Sequence, residues 1–426
     1  MSSPAQPAAK AAEPQPTLRF IAENARWLAA GFLLALASSF GQTFFIALSA
    51  DPIRAEFGLS HGEFGAIYMI GTLSSALALI QLGKLADRYS ARVLALAVMG
   101  ALALVCLGMA AAGQSWMLFF LIFGLRFCGQ GMLSHLSMTA MARWFAANRG
   151  RALAVAAFGY PVGEALAPQF FRLLAIDMGL SWREVWLAVI ALLAVFFAPS
   201  VHALLRRERS PQGQSEAEQS LGLGGRHWSR PEVLRTRLFW LLALGVVGPS
   251  FYGTILFFLP AHIAEIKGWD LGDWLAAYSV YAAVSVVSSM GVGILIDRYS
   301  ARTLLGFYQL PAALAMILFA LAESPAMSLV VLGTFGISSG AVATVHSALW
   351  AELYGTRHLG SIKAFAHALM VFGSAAGPGV AGLLIDRGVD FAAQAWWYAA
   401  YVLAISALFA VVSLRLRAMS EAAPAR

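Results

Sequence analysis

Long apolar runs alternate with short polar loops along most of the chain. Twelve of these runs hold about 20 residues or more, which is enough for a helix to cross a bilayer. A helix is the predicted conformation, because an open strand leaves backbone polar groups unsatisfied in lipid and membrane strands are about half as long. The predicted spans are residues 26–50, 62–82, 93–112, 116–141, 152–176, 182–205, 237–262, 272–296, 303–322, 326–351, 362–386 and 392–415.

A polar segment separates the sixth span from the seventh. Residues 206–236 are rich in Arg, Ser, Gln, Glu and Gly, which is typical of a linker. We therefore predict two six-helix bundles, 26–205 and 237–415. The first 25 residues are rich in Ala, Pro and Gln and contain no apolar core, so they indicate a disordered tail and no cleavable signal. Residues 416–426 are predicted as a second short tail.

The two predicted bundles resemble each other in sequence. Residues 83–92 (GKLADRYSAR) and 293–302 (GILIDRYSAR) agree at eight of ten positions and lie 210 residues apart. A single register over such a distance indicates an internal duplication. Two parallel six-helix halves with a site between them are typical of transporters. The same offset pairs Gly58 with Gly268, Tyr68 with Tyr278, Gly150 with Gly360, Gly163 with Gly373 and Pro168 with Pro378.

Composition and charge support a membrane protein. Of the 426 residues, 60% are hydrophobic and only 12% are charged, about half the charge of a soluble domain. On the predicted spans, 23 of the 29 Lys and Arg lie in the tails and loops of one side. This asymmetry places both termini in the cytoplasm, and it makes the net charge of +7 a signal of orientation, not of nucleic-acid binding. Cys106 and Cys128 lie in apolar runs and are predicted to be packing residues.

The duplicated loop carries the first candidate function. Its glycines would allow close backbone approach, its aspartates could cap a helix or pair with an arginine, and its arginines would anchor the loop in the cytoplasm. We expect a latch between the halves that breaks and reforms as the site changes sides; topology anchoring alone is the alternative. The predicted gating residues are Gly83, Asp87, Arg88, Arg92, Gly293, Asp297, Arg298 and Arg302. Gly382, Asp386 and Arg387 repeat the Gly-x-x-x-Asp-Arg spacing on the other side, which suggests an outer latch.

The two-half plan and the doubled G-x-L-x-D-R-x-x-x-R loop resemble the major facilitator superfamily. The resemblance covers roughly residues 26–415, with Ser90 and Ser300 where the family often has Gly. It implies a secondary transporter of the twelve-helix fold, monomeric and located in a bacterial inner membrane. Further short motifs are similar to the bacterial monocarboxylate and oxalate/formate branch: RWF at 143–145, NRGRA at 148–152, Gly355, Arg357, Gly360 and GPG at 377–379.

Two ionisable residues lie deep in the predicted spans, where each charge costs a few kcal/mol. Arg126 lies about ten residues into the fourth span, and Glu164 lies about twelve residues into the fifth. We expect both to face the interior and to approach each other. Arg126 would hold a carboxylate substrate and Glu164 would bind the proton; a permanent structural ion pair is the alternative. In the family, an Arg in the fourth helix followed by Gly is linked to proton coupling, and here Gly129 and Gly131 follow it.

Other polar side chains are candidates for the same site. His135, His346 and His367 could relay protons, although a hydrogen-bonded interfacial His is the alternative for each. Lys363 lies one turn before His367 and could attract an anion or merely mark the interface. Polar groups on the first helices of the two halves suit solute hydrogen bonding in a central cavity. The predicted substrate-binding residues besides Arg126 are Gln42, Thr43, Tyr252, Tyr68, Tyr278 and Tyr281.

The pattern predicts a secondary transporter that moves a small organic anion, similar to a monocarboxylate, with a proton. Proton-driven export of amphipathic or cationic compounds is the alternative within transport. An enzyme is not expected, since no nucleophile, metal or phosphate motif is present. A receptor descended from a transporter is the alternative outside transport. The predicted partners are a small solute, a proton or another coupling ion, and the bilayer, with no cofactor, metal or nucleic acid.

Overall fold

The computed structural model describes residues 17–145, 148–207, 209 and 221–421. Most of the predicted N-terminal tail, the centre of the linker and the last five residues therefore lie outside the described part. Within it, the chain forms helices and loops and no strand. The principal helices are α1 (Thr17–Ala37, continued by a 3₁₀ turn to Gly41), α2 (His61–Arg88), α3 (Ala91–Ala110), α4 (Met117–Trp144), α5 (Arg149–Ala157 and Gly159–Phe171), α6 (Trp182–Leu204), α7 (Arg237–Phe258), α8 (Leu271–Tyr299), α9 (Leu310–Leu321), α10 (Met327–Tyr354), α11 (Leu359–Asp386) and α12 (Phe391–Glu421).

Ten of these twelve helices are long and apolar enough to cross a membrane. The other two stand where the fifth and ninth spans were predicted: α5 is interrupted at Phe158, and α9 is a shorter apolar helix. The architecture confirms the predicted fold class, an all-helical membrane protein whose two halves, α1–α6 and α7–α12, have six helices each.

The duplication is visible in the backbone at the end of the first helix of each half. A short helix follows α1 (Ala50–Phe57) and another follows α7 (Pro260–Lys267). Each ends at a glycine in the left-handed region, Gly58 with φ 65° and Gly268 with φ 63°. Side chains are strained in this conformation, which explains why both copies of the repeat have Gly at this position.

The predicted boundaries need three corrections near the ends of the halves. The last helix continues to Glu421, so the described part of the predicted tail 416–426 is helical. Helix begins at Thr17, so residues 17–25 are helical and not a disordered tail. Phe20, 2% exposed, packs edge-on against Phe145 and explains why the helix starts early. The described part of the linker is also folded: it contains a capped helix, Arg230–Leu234, and the Trp228 N–H donates to the Tyr354 carbonyl at the end of α10.

Helix α1 is broken near the middle of its predicted span. A short 3₁₀ turn over Ser38–Gly41 leads to Gln42, whose backbone is extended (φ −84°, ψ 156°), and a new helical turn starts at Thr43. Such a break frees carbonyl groups that lipid cannot satisfy. Here the Arg126 Nη1 atom donates to the Gly41 carbonyl over 3.3 Å, and α4 itself widens into a π-helix over Arg126–Leu133.

We call the end of the bundle that carries the repeated loops the motif face, and the other end the opposite face. On the motif face, the two loops bind within their own halves. Asp87 pairs with Arg143 of α4 over 3.2 Å, and Arg302 contacts Glu352 of α10, whose carboxylate also accepts from the Ala301 N–H. The described contacts of these loops thus do not include an ion pair between halves, in contrast to the predicted latch in its closed form.

The remaining loop residues differ between the copies. His135 Nε2 lies 3.2 Å from the Gly83 carbonyl oxygen, whereas a Cβ at Gly293 would face open space. The close approach of neighbouring backbones predicted at these glycines stays a prediction. Arg92 lies 3.2 Å from His202 of α6. Among the predicted gating residues, those with exposed side chains are Asp87, Arg88, Asp297 and Arg298.

The equivalent serines of the two loops predict opposite effects of glycine. Ser300 has φ 69° and ψ 155°, a region that only glycine populates readily, whereas Ser90 has ordinary angles and its hydroxyl caps α3 by accepting from the Val93 N–H. We expect Ser300→Gly to stabilise the protein by about 1 kcal/mol and Ser90→Gly to destabilise it by a few tenths. Apparent melting temperatures in detergent measure both. A lower melting temperature for Ser300→Gly would contradict this explanation.

Candidate solute-binding cavity

A cavity lies between the halves, on the motif-face side of their mutual contacts. Its main lobe has a volume of about 490 Å³ and a neighbouring side lobe has about 530 Å³. The two lobes lie side by side and share the lining residues Gln42, Phe44, Gln130, Glu164 and His367. Helices of both halves line the main lobe, whereas the side lobe is lined by the first half and by His367.

The first half supplies polar groups from the break in α1 and from α4 and α5. The extended backbone at Gln42 turns Gln42 and Thr43 toward the cavity, as was predicted for these two residues. Glu164 lines both lobes and is the one acidic residue among the described lining residues. It is half-buried and makes no described hydrogen bond or ion pair.

Arg126 lies behind the cavity wall and not in it. Its side chain is 1% exposed, and Nη1 donates to the Gly41 carbonyl and to Thr43 Oγ1, each over 3.3 Å. The guanidinium also lies 5.3 Å from the centre of the Tyr68 ring, while Nε and Nη2 have no hydrogen-bond partner in the described structure. In this conformation Arg126 makes no described ion pair with Glu164 and does not line the cavity, because the broken turn at Gly41–Thr43 covers the cation. Its contact with solute stays a prediction.

Close backbone packing fixes the broken turn. A Cβ atom at Gly41 would lie 2.7 Å from Gly129 Cα and even closer to the Leu125 carbonyl oxygen. A Cβ at Gly129 would clash with Gly41 in the same way. Gly129, which the sequence linked to proton coupling, thus has a packing role that holds Gln42 and Thr43 in place.

The predicted tyrosines divide into two groups. Tyr252 and Tyr281 line the main lobe, where the Tyr281 hydroxyl lies 2.8 Å from Ser339 Oγ. Tyr68 and its duplicate Tyr278 are fully buried and do not line either lobe. The Tyr68 hydroxyl lies 2.5 Å from Thr43 Oγ1, so Tyr68 supports a lining residue without reaching the solute space itself.

The second half supplies basic groups near the motif face. Lys363, His367 and His346 line the main lobe, and Lys363 Nζ donates to Ser347 Oγ over 2.8 Å. Lys363 is the one Lys or Arg among the described lining residues. The sequence left two roles open for it, attraction of an anion or a position at the interface. Helix α11 begins at Leu359, before the predicted start at 362, so Lys363 lies one turn inside the helix. His135 lines the side lobe and is hydrogen-bonded to Gly83, as the alternative for the histidines expected.

Several lining residues escaped the sequence analysis, although the 210-residue offset could have found one of them. Glu164 corresponds to Ser374, which lines the main lobe and accepts a hydrogen bond from Thr254 Oγ1 over 2.8 Å. Gln130 is polar but belongs to no sequence motif that would have marked it as a lining residue. The aromatic residues of the main lobe are Phe44, Tyr252, Phe257, Tyr281, Phe335 and Trp350.

The halves meet on the opposite face. The Asp386 carboxylate, at the end of α11, accepts from the N–H groups of His61 (3.0 Å) and Gly62 (2.8 Å) at the start of α2. Gln169 of α5 donates to the Leu275 carbonyl of α8 over 2.7 Å. All the described hydrogen bonds between the two helical halves lie toward this face. The cavity is accordingly closed here, while the exposed side chains of Ser347 and His367 show that it opens toward the motif face.

Comparisons with known proteins agree with this architecture. The chain is 24% identical over 318 residues to the MFS transporter asaE of Aspergillus flavus, a match that covers 72% of this chain and 68% of that protein. Among solved structures, the fold is similar to a bacterial homolog of the human lysosomal transporter Spinster in an inward-facing and occupied conformation, with a TM-score of 0.71, 18% identity and coverage of 94% and 98% of the two chains. It is also similar to the nucleoside transporter NupG, with a TM-score of 0.67, 15% identity and coverage of 90% and 99%.

The family model of the Major Facilitator Superfamily matches residues 29–344 and 276–425, which together include both halves. The chain therefore belongs to the Major Facilitator Superfamily.

Proposed function

We propose that the protein is a proton-coupled secondary transporter of a small organic anion, working by alternating access. The motif face is then the cytoplasmic face, in agreement with its excess of Lys and Arg, and the described conformation is the one open to the cytoplasm. Closure at the Asp386 contact and opening on the motif face support one half of such a cycle. The reverse state would close the cavity at the duplicated loops.

The charges that line the cavity carry the proposal. With Glu164 ionised and Lys363 protonated, these two charges cancel; when Glu164 takes up a proton, the cavity carries an excess positive charge. A buried excess charge is costly, so an anion that enters together with the proton is favoured over either alone. This balance of charges favours transport of the anion and the proton in the same direction. Lys363, and not Arg126, is then the cation that holds the anion, and His367 lies one turn farther along the same helix.

The size and composition of the cavity limit the kinds of solute that can bind there. A main lobe of about 490 Å³ falls within the range of small-molecule sites. Aromatic rings line much of it, and hydroxyl and amide groups such as those of Gln42 and Gln130 can orient a polar end. A monocarboxylate with an apolar or aromatic body fits these surroundings.

Export of an amphipathic cation is the second candidate, and the lone lining acid favours it. Glu164 beside Tyr281 and other aromatic rings could hold a cation through its charge and through cation–π contacts. In that case a proton and the solute would compete for Glu164, and Lys363 would weaken binding by repulsion.

Binding of benzoate to the purified protein tests the proposal, with tetraphenylphosphonium as the cationic probe. We expect benzoate to bind more tightly as the pH falls from about 8 to about 5, because the proton and the anion bind together. Glu164→Gln should remove this pH dependence and bind as the wild type does at low pH. Lys363→Met should weaken benzoate binding about 5-fold.

Matched variants make the result specific. Glu265→Gln and Lys84→Met remove exposed charges that do not line either lobe, so they should bind benzoate as the wild type does. Tighter tetraphenylphosphonium binding at high pH, together with tighter binding in Lys363→Met, would replace the anion proposal with the export one.

A further inference from the structure

A chain of four side chains runs from α7 to the cavity wall at α10. The Tyr252 hydroxyl donates to Gln309 Oε1 over 3.3 Å, and Gln309 Nε2 donates to the Tyr308 hydroxyl over 2.6 Å. The Tyr308 hydroxyl in turn lies 2.9 Å from His346 Nε2. Gln309 is 1% exposed and Tyr308 is 5% exposed, so water does not compete for these bonds.

The direction of the chain follows from the donors that it contains. An amide nitrogen can only donate, so Tyr308 accepts from Gln309 and must use its own single proton elsewhere. The other described partner of the Tyr308 hydroxyl is His346 Nε2. His346 Nε2 is therefore an acceptor, and in the neutral ring the proton lies on Nδ1.

A protonated His346 does not suit this arrangement. The Tyr308 hydroxyl would then accept from both Nε2 and Gln309 Nε2, and its own proton would lose its acceptor. Such a buried donor without a partner costs about 1–3 kcal/mol. The chain therefore holds the ring neutral and in one tautomer, which differs from the proton-relay role predicted from the sequence.

The Nδ1 atom is the free end of the chain. His346 lines the main lobe, and its described hydrogen bond is the one made by Nε2. Its neighbour along α10 is Ser347, the partner of Lys363. An Nδ1–H group at this position can donate to an oxygen of a solute whose charge is held at Lys363.

We propose that His346 is a specificity-determining residue that donates a hydrogen bond from Nδ1 to an oxygen atom of the solute, with Tyr308 and Gln309 as positioning residues that fix its tautomer. This inference rests on the proposed function for the class of solute, a carboxylate. It does not need that function for the tautomer, which is a property of the ligand-free protein.

The first readout is the tautomer of His346 in the full-length protein in lipid nanodiscs. Nitrogen NMR of ¹⁵N-histidine-labelled protein distinguishes the two ring nitrogens, and the loss of one pair of signals in His346→Asn assigns the residue. We expect the Nδ1–H tautomer at neutral pH, and a mixture of tautomers in Tyr308→Phe. Tyr398→Phe is the control, because Tyr398 donates to Gln394 in a comparable buried pair that does not line the cavity.

The second readout is the affinity for benzoate of two variants. An Asn amide nitrogen takes the place of Nδ1, whereas a Gln amide extends to the place of Nε2. We expect His346→Asn to stay within about 2-fold of the wild type and His346→Gln to bind about 5-fold more weakly, the value of one neutral hydrogen bond.

The outcomes separate the two proposals. An Nε2–H tautomer or a protonated ring at neutral pH would overturn the inference, and so would equal binding by His346→Asn and His346→Gln. If the wild type bound tetraphenylphosphonium and not benzoate, the proposed anion function would fail and the donor role with it, while the tautomer spectrum would still report whether the Tyr308 chain fixes the ring.

Discussion

Replacing Gly41 with Ala is expected to destabilise the protein by at least about 3 kcal/mol. The added Cβ would meet the backbone of α4 at Leu125 and Gly129, and backbone atoms cannot turn aside as a flexible side chain can. Moving α4 away would also stretch the bonds from Arg126 to Gly41 and Thr43. Thermal unfolding in detergent should therefore show a large fall in the apparent melting temperature.

Gly100→Ala is the matched control for that substitution. Gly100 lies in α3 with open space where its Cβ would be, and Ala is the better helix former by up to about 1 kcal/mol. We expect this variant to be as stable as the wild type or slightly more so. If Gly41→Ala had the same apparent melting temperature as the wild type, the stability of α1 would not depend on this crossing with α4.

Replacing Asp386 with Ala is expected to shift the protein toward a state that opens on the opposite face. The carboxylate accepts from two N–H groups at the start of α2, which belongs to the other half, and loss of a helix cap costs about 0.5–2 kcal/mol. Since this contact exists only while the opposite face is closed, its loss changes the equilibrium between states by about 10-fold. Spin labels at 113 and 323, exposed equivalent positions of the two halves on that face, measure the change as a second, longer distance.

Asp390→Ala provides a control at the same face and with the same charge. Asp390 accepts from the Ala393 N–H and caps α12 within its own half, so its loss should lower stability without changing the balance of states. Equal distance distributions for Asp386→Ala and the wild type would mean that other contacts, such as Gln169 with Leu275, close this face alone.

The sequence predicted those features that depend on patterns along the chain. Apolar run length predicted the helices, and the 210-residue offset predicted the duplicated halves and paired Gly58 with Gly268, both of which the structure shows in the left-handed region. Residue counting predicted Glu164 in the middle part of its helix, where the structure shows it lining the cavity. Asp386 was found by its spacing alone, and the structure shows that its carboxylate joins the two halves.

The direction in which a deep side chain points was harder to predict. Arg126 lies at the expected depth, but the break in α1 covers it, and that break depends on the tertiary contact of Gly41 with Gly129. Nothing in the sequence around Gly41 or Gly129 indicates that these two residues are in contact. Tyr68 and Tyr278 illustrate the same limit, since duplication predicts that they are equivalent without predicting whether they face the cavity or the packed interior.

The two halves share a backbone plan and differ in chemistry, which is what the proposed coupling requires. The first half carries the lining acid Glu164, and the equivalent position in the second half is Ser374. The second half carries Lys363 and the Tyr308–His346 pair. Under the proposed function, a solute that contacts both sets of groups would link proton binding in one half to anion binding in the other.

Paired distance measurements on both faces test alternating access. One spin-label pair at 113 and 323 reports on the opposite face, and a second at 89 and 299, exposed at equivalent positions of the repeated loops, reports on the motif face. The buried native thiols Cys106 and Cys128 are replaced by Ala so that the introduced labels alone are observed. With benzoate at about pH 5, we predict that the first distance lengthens while the second shortens. Distances that stay fixed, or that change in the same direction while benzoate is bound, would contradict the account.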